Sequence, residues 1–267
     1  MYRLIVTVCL LCISLPCSAS AWSEPHSGGA MGNEGFFSLL QTDFKNYYSS
    51  SSVKTMGMTV GLAGLLANSG ADDDFRELVQ NHLRSDDSNH QSDIWRQLGE
   101  RKTSLTLYLG AGALIGLSGD TQPANALAAW GTRSLRGFFL GGPQHIMLAG
   151  LTGAGRPTEG NAQWWSFDDN NGVSGHAFFG ALPLITAAQL SEDPWLRYSL
   201  YAASALPGLS RINDDKHFLS QVILGWSIAY LSADAVRRTD TGDRRDETDR
   251  GPEIRFYGTA VTVEWKF

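Results

Sequence analysis

Residues 173–190, VSGHAFFGALPLITAAQL, form an apolar run that begins directly after a polar loop. Ser174 is a preferred N-cap residue at that boundary, so the pattern predicts a helix with Gly175 and His176 in its first turn. The first turn of a helix exposes backbone N–H groups and the positive end of the helix dipole, and both attract anions. Gly175 lets an anion approach the backbone closely. The stretch therefore predicts a helix with an anion site at its N-terminus.

A second histidine, His217, stands before another apolar run, residues 218–230. Three good capping residues precede it: Asn213, Asp214 and Asp215. We therefore expect His217 in the first turn of a helix, where the dipole favours the neutral, nucleophilic ring. Gln221 follows four residues later and shares that face of the helix. Its side-chain oxygen can accept the ring N–H and orient His217.

Two arginines complete the set of candidate site residues. Arg156 precedes Pro157, and Arg211 follows Ser210 in the sequence. Guanidinium groups bind phosphate oxygens through paired hydrogen bonds and stabilise the charge of a transferring phosphoryl group. The histidines lack the His-x3-His and His/carboxylate spacings of metal motifs, and residues 168–172 lack the spacing of a calcium loop. The pattern predicts phosphoryl transfer without a metal.

The rest of the chain is predominantly helical by its apolar spacing. The segments that carry this pattern are Phe36–Tyr48, Met56–Ala67, Leu105–Leu117, Leu135–Leu151, His176–Leu190, Leu196–Leu206 and His217–Ala233. They alternate with Gly-rich and polar turns and lack β-branched alternation, so we expect an all-α fold, a helical bundle. Each uncharged run is near or under the ~18 residues of a membrane span, which favours core helices of a soluble bundle.

A polar segment interrupts the apolar ones. Residues 72–83 are predicted as a polar helix that leads into an acidic loop at residues 84–89. Runs of charge of this kind are usually solvated surface, so we assign no function to the loop.

The N-terminus has the features of an export signal. Arg3 precedes an apolar stretch, and Ala19-Ser20-Ala21 is a small-residue cleavage site, so residues 1–21 are predicted as a signal peptide. Residues 22–35 are polar and glycine-rich and are predicted as a flexible lead. All three cysteines lie at positions 9, 12 and 17, inside the signal. We therefore expect an exported, periplasmic protein without thiols, with inner- or outer-membrane association as the alternative.

The C-terminus changes character twice. Residues 238–252 are predicted as a charged linker, because mixed charges leave nothing to bury. Residues 253–267 end in an alternating apolar pattern that predicts a short β-strand tail. One strand cannot close a barrel, so we expect the tail to pack on the helical domain, residues 36–237.

The composition of the chain limits the classes of partner that it can bind. The chain has 267 residues, 43% of them hydrophobic, and a formal net charge of −6. This length suits one domain with tails, and the acidic balance gives no general attraction for nucleic acid. Any phosphate recognition must therefore be local.

Taken together, the motifs resemble the type 2 phosphatidic acid phosphatases, which share a fold with bacterial class A acid phosphatases and vanadium haloperoxidases. The family pattern is Lys-x6-Arg-Pro, then Pro-Ser-Gly-His, then Ser-Arg-x5-His-x3-Asp. This chain has Arg156-Pro157, Val173-Ser174-Gly175-His176 and Ser210-Arg211-x5-His217 within a motif core of about residues 100–235.

The resemblance implies roles for these positions. It makes His217 the nucleophile that forms a phosphohistidine and His176 the acid that protonates the leaving alcohol. It makes phosphate-binding residues of the remaining matches, Arg156, Ser174, Gly175 and Arg211. No cofactor is implied for a phosphatase, and vanadate is implied only for a haloperoxidase.

The chain departs from the family pattern at three positions. Ala149 stands where the family has lysine, Gln221 where it has aspartate, and Val173 where it has proline. Loss of one preorganised charge contact costs on the order of 10²–10³ in rate, so activity is expected to be weakened by Ala149 and Gln221. Three other residues are candidates for a replacement cation: Lys102, Arg133 and Arg136.

Three hypotheses about function follow. The first is an exported, metal-independent phosphatase that acts on a phosphorylated small molecule or a lipid phosphate, with contact to a membrane surface in the second case. The second, motivated by Ala149 and Gln221, is a non-catalytic protein that binds a phosphorylated ligand or has a structural role in the envelope. The third and least favoured is a vanadium haloperoxidase. Trp164, Trp165 and Phe167 are either an apolar mouth for a lipid tail or packing residues.

Overall fold

The computed structural model describes residues 35–113, 122–160, 162–165, 169–242, 253–257 and 260–264. The predicted signal peptide and nearly all of the predicted lead lie outside the described residues, as does most of the predicted linker.

Before residue 253, every regular element of the described residues is helical, in agreement with the expected all-α bundle. Its helices are α1 (Phe36–Tyr47), α2 (Ser50–Asn68), α3 (Ala71–Leu78, continued by a π-helical turn at Val79–Leu83), α4 (Asp86–Leu98), α5 (Arg101–Ala113), α6 (Gln122–Thr152), α7 (Gly175–Leu190), α8 (Pro194–Ala203), α9 (Leu206–Asn213) and α10 (Leu219–Thr241). A short 3-10 turn, Pro157–Glu159, lies between α6 and α7.

Helices α7 and α10 form the centre of the bundle. Helix α10 packs against α1, α2, α6 and α7, and α7 also packs against α6, α8 and α9. Phe178 and Ile185 of α7 and Leu224 and Ile228 of α10 are completely buried. Full burial of each such side chain stabilises the fold by about 1.5–3 kcal/mol. The two histidine motifs therefore stand at the ends of the most firmly packed helices.

Two glycines allow the backbone around the start of α7 to pack unusually closely. A Cβ atom on Gly225 of α10 would lie 2.3 Å from the carbonyl oxygen of Ser174, and one on Gly99 would lie 2.7 Å from the Cβ of His176. Neither position has room for a side chain. The N-terminus of α7 is thus held between α10 and the chain that leaves α4.

The acidic loop expected at residues 84–89 is wrong from residue 86 onward, because α4 begins at Asp86. Ser85 is the N-cap and Ser88 completes a capping box, while Asp86 and Asp87 lie in the first turn, where acidic side chains favour a helix. Helix α9, which carries Ser210 and Arg211, was also not predicted as a separate element. It packs against α4 and α7.

The predicted start of the linker at residue 238 is also wrong, because α10 continues to Thr241. Arg238 is buried, the side chain of Asp240 is 1% exposed, and both take part in ion pairs within the bundle. At residues 238–240, mixed charge marks a buried network of ion pairs rather than a solvated segment.

Arg133 and Arg136, two of the suggested replacement cations, belong to this buried network. Arg136 pairs with Asp43 at 2.6 Å and with Asp240 at 2.7 Å, and Arg133 pairs with Asp240 at 2.6 Å. Asp240 lies at the far end of α10 from His217, about 30 Å along a helix of this length. The suggestion that Arg133 or Arg136 serves the phosphate site is therefore wrong, and the two instead tie α6 to α1 and α10.

The single tail strand predicted for residues 253–267 is described as two strands. Glu253–Tyr257 (β1) and Ala260–Glu264 (β2) pair in antiparallel orientation, with Ile254 opposite Val263.

Among the described residues, one helix is long and apolar enough to cross a membrane. It is α10, and 72% of its apolar window is buried inside the bundle. A core helix of a soluble protein passes the same test.

Candidate active site

The start of α7 has the predicted cap. Ser174 is the N-cap, and its Oγ accepts a hydrogen bond from the backbone N–H of Ala177 at 3.3 Å. Ser174 is completely buried, and its own N–H donates to the carbonyl oxygen of Gln221 at 3.0 Å. Gly175 and His176 are the first two residues of α7, as expected. The first turn of α7, where the sequence predicts an anion site, is therefore fixed directly to α10.

His217 does not lie in a first helical turn, so that expectation is wrong. Helix α10 begins at Leu219 with Phe218 as its N-cap, which places His217 just before the helix. The three capping residues are used elsewhere. Asn213 ends α9, Asp214 pairs with Arg211 at 2.8 Å, and Asp215 pairs with Arg76 at 2.6 Å.

The cap of α10 comes from a distant part of the chain. Asp72, in the first turn of α3, accepts hydrogen bonds from the backbone N–H and the hydroxyl of Ser220. Asp72 and Ser220 are both buried, and Phe218 has no side-chain group that can cap a helix. Because 148 positions separate the two residues, no local pattern could have predicted this contact. Asp72 therefore fixes the start of the helix that follows His217.

Gln221 orients His217, as the sequence predicts, and does considerably more. Its Oε1 lies 2.7 Å from Nδ1 of His217 and accepts the N–H of Phe218 at 3.2 Å. Its Nε2 donates to the carbonyl oxygen of Gly155, next to Arg156, at 2.8 Å. Together with its backbone carbonyl, which accepts from Ser174, this completely buried residue connects all three motifs.

These bonds also fix the protonation of the imidazole. Gly155 offers only a carbonyl acceptor and Phe218 only an N–H donor, so the amide of Gln221 has one permitted orientation. Oε1 then faces His217 and can only accept, which requires the proton on Nδ1. The lone pair of His217 is consequently on Nε2.

The electrostatic surroundings keep His217 neutral. Burial lowers its pKa to about 4; the hydrogen bond to Gln221 opposes this shift, and the charges of Arg211, His176 and Arg156 add to it. Burial, rather than the helix dipole that the sequence suggested, is the main cause. These mutual influences show that the structure brings both predicted histidines and both predicted arginines into one site.

His176 has a carboxylate partner that sequence reasoning missed. Its Nε2 lies 3.3 Å from Oε1 of Glu100, the residue between α4 and α5, and its side chain is about one quarter exposed. Burial lowers the pKa of His176, the charge of Arg211 lowers it further, and Glu100 opposes the shift. His176 is thus the more accessible of the two rings and the one with an acidic partner.

The guanidinium group of Arg211 is held in place by Asp214, at the end of α9. Its Nη1 bonds Oδ2 of Asp214 at 2.8 Å, and Ser92 donates to the other oxygen of Asp214 at 2.6 Å. Only 9% of Arg211 is exposed, and its buried Nε has no hydrogen-bond partner among the described residues. A buried N–H donor without a partner costs free energy of folding unless a ligand accepts a hydrogen bond from it.

Arg156 lies at the surface beside these groups. Its backbone N–H donates to Glu159 at 2.6 Å, and the preceding Gly155 is fixed by Gln221. Ala149, where the family has lysine, is buried in the apolar core of the bundle at 6% exposure. The α6 position that carries the lysine in the family pattern thus brings no cation to the site.

The three aromatic residues suggested as an apolar mouth for a lipid tail do not share one environment. Trp164 is buried and packs on Gly64. Trp165 is 63% exposed, and its backbone N–H donates to the carbonyl oxygen of Thr152 at 2.6 Å. Phe167 lies outside the described residues. No group of three or more His, Cys, Asp or Glu side chains that could hold a metal ion occurs in the part of the chain that the structure describes.

The fold and the site define a helical bundle in which two histidines and two arginines surround a capped helix N-terminus. Residues 126–244 match the family model of the PAP2 superfamily. This segment contains all three motifs and belongs to the type 2 phosphatidic acid phosphatase superfamily, which confirms the resemblance. No curated protein and no solved structure matches the chain.

Proposed function

We propose that the protein is an exported, metal-independent phosphatase that works through a phosphohistidine at His217. Membership of the superfamily supports phosphatase-type activity in general. The observation that carries the finer proposal is the set of bonds around Gln221, which leave the lone pair of His217 on Nε2 beside Arg156, Arg211 and His176.

The proposed reaction has two steps. Nε2 of His217 attacks phosphorus, the bond from phosphorus to the ester oxygen breaks, and His176 gives its proton to the leaving alcohol. Water then attacks the phosphohistidine, His176 takes the proton from that water, and His217 leaves as the neutral ring. Arg156, Arg211 and the backbone N–H groups at the start of α7 hold the phosphoryl oxygens through both steps.

The directions of the pKa shifts of His217 and His176 indicate the pH range in which the proposed enzyme would work. His217 must be neutral, which holds above about 4, and His176 must be protonated in the free enzyme, which requires a pH below its ordinary value of about 6.5. We therefore infer an acid phosphatase, which suits an exported protein.

An apolar surface next to the site favours a lipid phosphate over a soluble ester. No charged residue occurs in the sequence from Gly137 to Gly155. The exposed large apolar side chains of this part of α6 are Phe139, Ile146, Met147 and Leu151, and the backbone N–H of the exposed Trp165 is hydrogen-bonded to the end of this helix. The stripe ends at the loop that carries Arg156, so a membrane surface that covered it would present phosphorylated headgroups to the site.

The test is release of phosphate by the purified mature protein, with EDTA present, from an aryl phosphate and from phosphatidic acid in vesicles. We expect turnover with both, faster with the lipid, and none in His217→Ala. The exposed His90 provides the matched control, and His90→Ala should retain wild-type rates. Undiminished turnover in His217→Ala would contradict the mechanism. Equal preference for the soluble ester would contradict the lipid assignment only.

Ala149 and Gln221 support a second candidate, a non-catalytic protein that binds a phosphorylated ligand or has a structural role in the envelope. The first is apolar and buried, and the second is neutral where the family has a carboxylate. Calorimetric binding of inorganic phosphate without turnover of any ester would establish the binding function, and turnover that depends on His217 would exclude it.

A further inference from the structure

One face of α4 forms a wall of the phosphate site. Near the middle of this helix, the hydroxyl of the buried Ser92 lies within hydrogen-bond distance of the carbonyl oxygen of Ser210, at 2.9 Å, and of Asp214, at 2.6 Å. Just beyond its C-terminal end, Gly99 contacts His176 so closely that a Cβ there would clash, and Glu100 lies 3.3 Å from His176. The helix is thus fixed to both the Arg211 motif and the His176 motif.

Arg96 lies on this same face, between the two contacts. It is four residues after Ser92, and residues four apart on a helix are neighbours on one face. Since Ser92 faces Asp214 and the chain just after the helix contacts His176, Arg96 stands on the last turn of this face, between those two contacts.

The charges agree with that placement. Burial is the main cause that lowers the pKa of Arg211, and the positive charge of Arg96 lowers it further. Arg96 has the same effect on His176, after burial and Arg211. Its ion pair with Asp93, at 3.0 Å, joins two side chains that are 46% and 63% exposed, and exposed pairs of this kind contribute little. Arg96 can therefore exchange this partner for an anion.

We propose that Arg96 supplies a third cation for the phosphate site from α4, in place of the lysine that the family pattern has at the position of Ala149. The inference rests on the proposed function, because it assumes that the site binds a phosphoryl group. With Arg96 included, three guanidinium groups, those of Arg96, Arg156 and Arg211, are available to bind the oxygens of a phosphoryl group.

The experiment measures the affinity for inorganic phosphate by calorimetry, and KM and kcat for an aryl phosphate. In Arg96→Ala, phosphate affinity should fall by about 10- to 100-fold, the usual size of a lost charge-assisted hydrogen bond. Arg96→Lys keeps the charge and should recover most of this loss, and neither variant should change the urea midpoint of unfolding.

Two variants serve as controls. Asp93→Ala removes the competing ion pair and leaves Arg96, so its affinity should equal or exceed that of the wild type. Arg84 is exposed just before the other end of α4, and Arg84→Ala should bind phosphate as the wild type does.

The outcomes separate this proposal from the function on which it rests. If the wild type neither binds phosphate nor turns over esters, both are overturned. If the wild type binds phosphate and Arg96→Ala binds it equally well, only the role of Arg96 is overturned. An equal loss in Arg96→Ala and Arg96→Lys, with a lowered midpoint in both, would show a structural role and would also overturn it.

Discussion

Replacement of Gln221 by leucine tests how the three motifs are held together. Leucine has a similar size but no polar atom, so the change would leave three polar groups without their partner. These are the Nδ1–H of His217, the N–H of Phe218 and the carbonyl oxygen of Gly155. Because all three surround one completely buried side chain, water cannot easily replace the lost bonds.

The expected cost follows from those three groups. A buried polar group left without a partner costs about 1–3 kcal/mol. The three belong to one network, so their costs do not simply add, and we expect a total of about 3–6 kcal/mol. That is a large part of the 5–15 kcal/mol that stabilises a typical domain.

Urea unfolding, followed by circular dichroism and tryptophan fluorescence, measures this difference. Gln97→Leu is the matched control, because its amide bonds only the carbonyl oxygen of Asp93 in its own helix, at 3.2 Å, and this bond is exposed. The control should change stability by no more than about 0.5 kcal/mol. A loss of under about 1 kcal/mol in Gln221→Leu would refute the argument that its bonds join the three motifs.

The remaining predictions concern the cap, the close packing and the pH dependence of stability. Asp72→Ala removes the cap of α10 and should lower the free energy of unfolding in urea by about 1–2 kcal/mol. The control Asp73→Ala changes an exposed residue and should be nearly neutral; equal effects of the two changes would contradict the capping role of Asp72. Gly225→Ala should cost about 1–3 kcal/mol, because its Cβ would meet the Ser174 carbonyl, whereas Gly57→Ala, with open space, should not destabilise; a harmless Gly225→Ala would contradict the packing. Because the pKa of His217 is about 4 in the fold and about 6.5 when unfolded, the unfolded chain binds more protons between these values. Stability should therefore fall by up to about 3 kcal/mol from pH 6.5 to 4, and less in His217→Asn; equal losses in the two proteins would contradict the burial of a neutral ring.

Features that depend on neighbouring residues could be predicted from the sequence. Ser174 caps α7 because a polar loop meets an apolar run there, and Gln221 reaches His217 across four positions. The all-α fold followed from the spacing of the apolar residues. In each case the information lies within one or two turns of helix.

Features that depend on distant contacts could not be predicted. Asp72 caps α10 from 148 positions away, and the face of α4 reaches the site through the packing of α4 on α9 and α7. His217 was expected in a first turn because good capping residues precede it. Two of those residues are instead bound by Arg76 and Arg211, and the sequence does not show which partner a carboxylate will take.

The central claim is that His217 attacks phosphorus and carries the phosphoryl group. It is tested most directly by acid-free, alkaline quenching of the protein during turnover of a labelled phosphate ester, followed by peptide mapping. We expect an alkali-stable, acid-labile phosphoryl group on the peptide that contains His217, and none in His217→Ala. Steady turnover without label on that peptide, or label that persists in His217→Ala, would contradict the account.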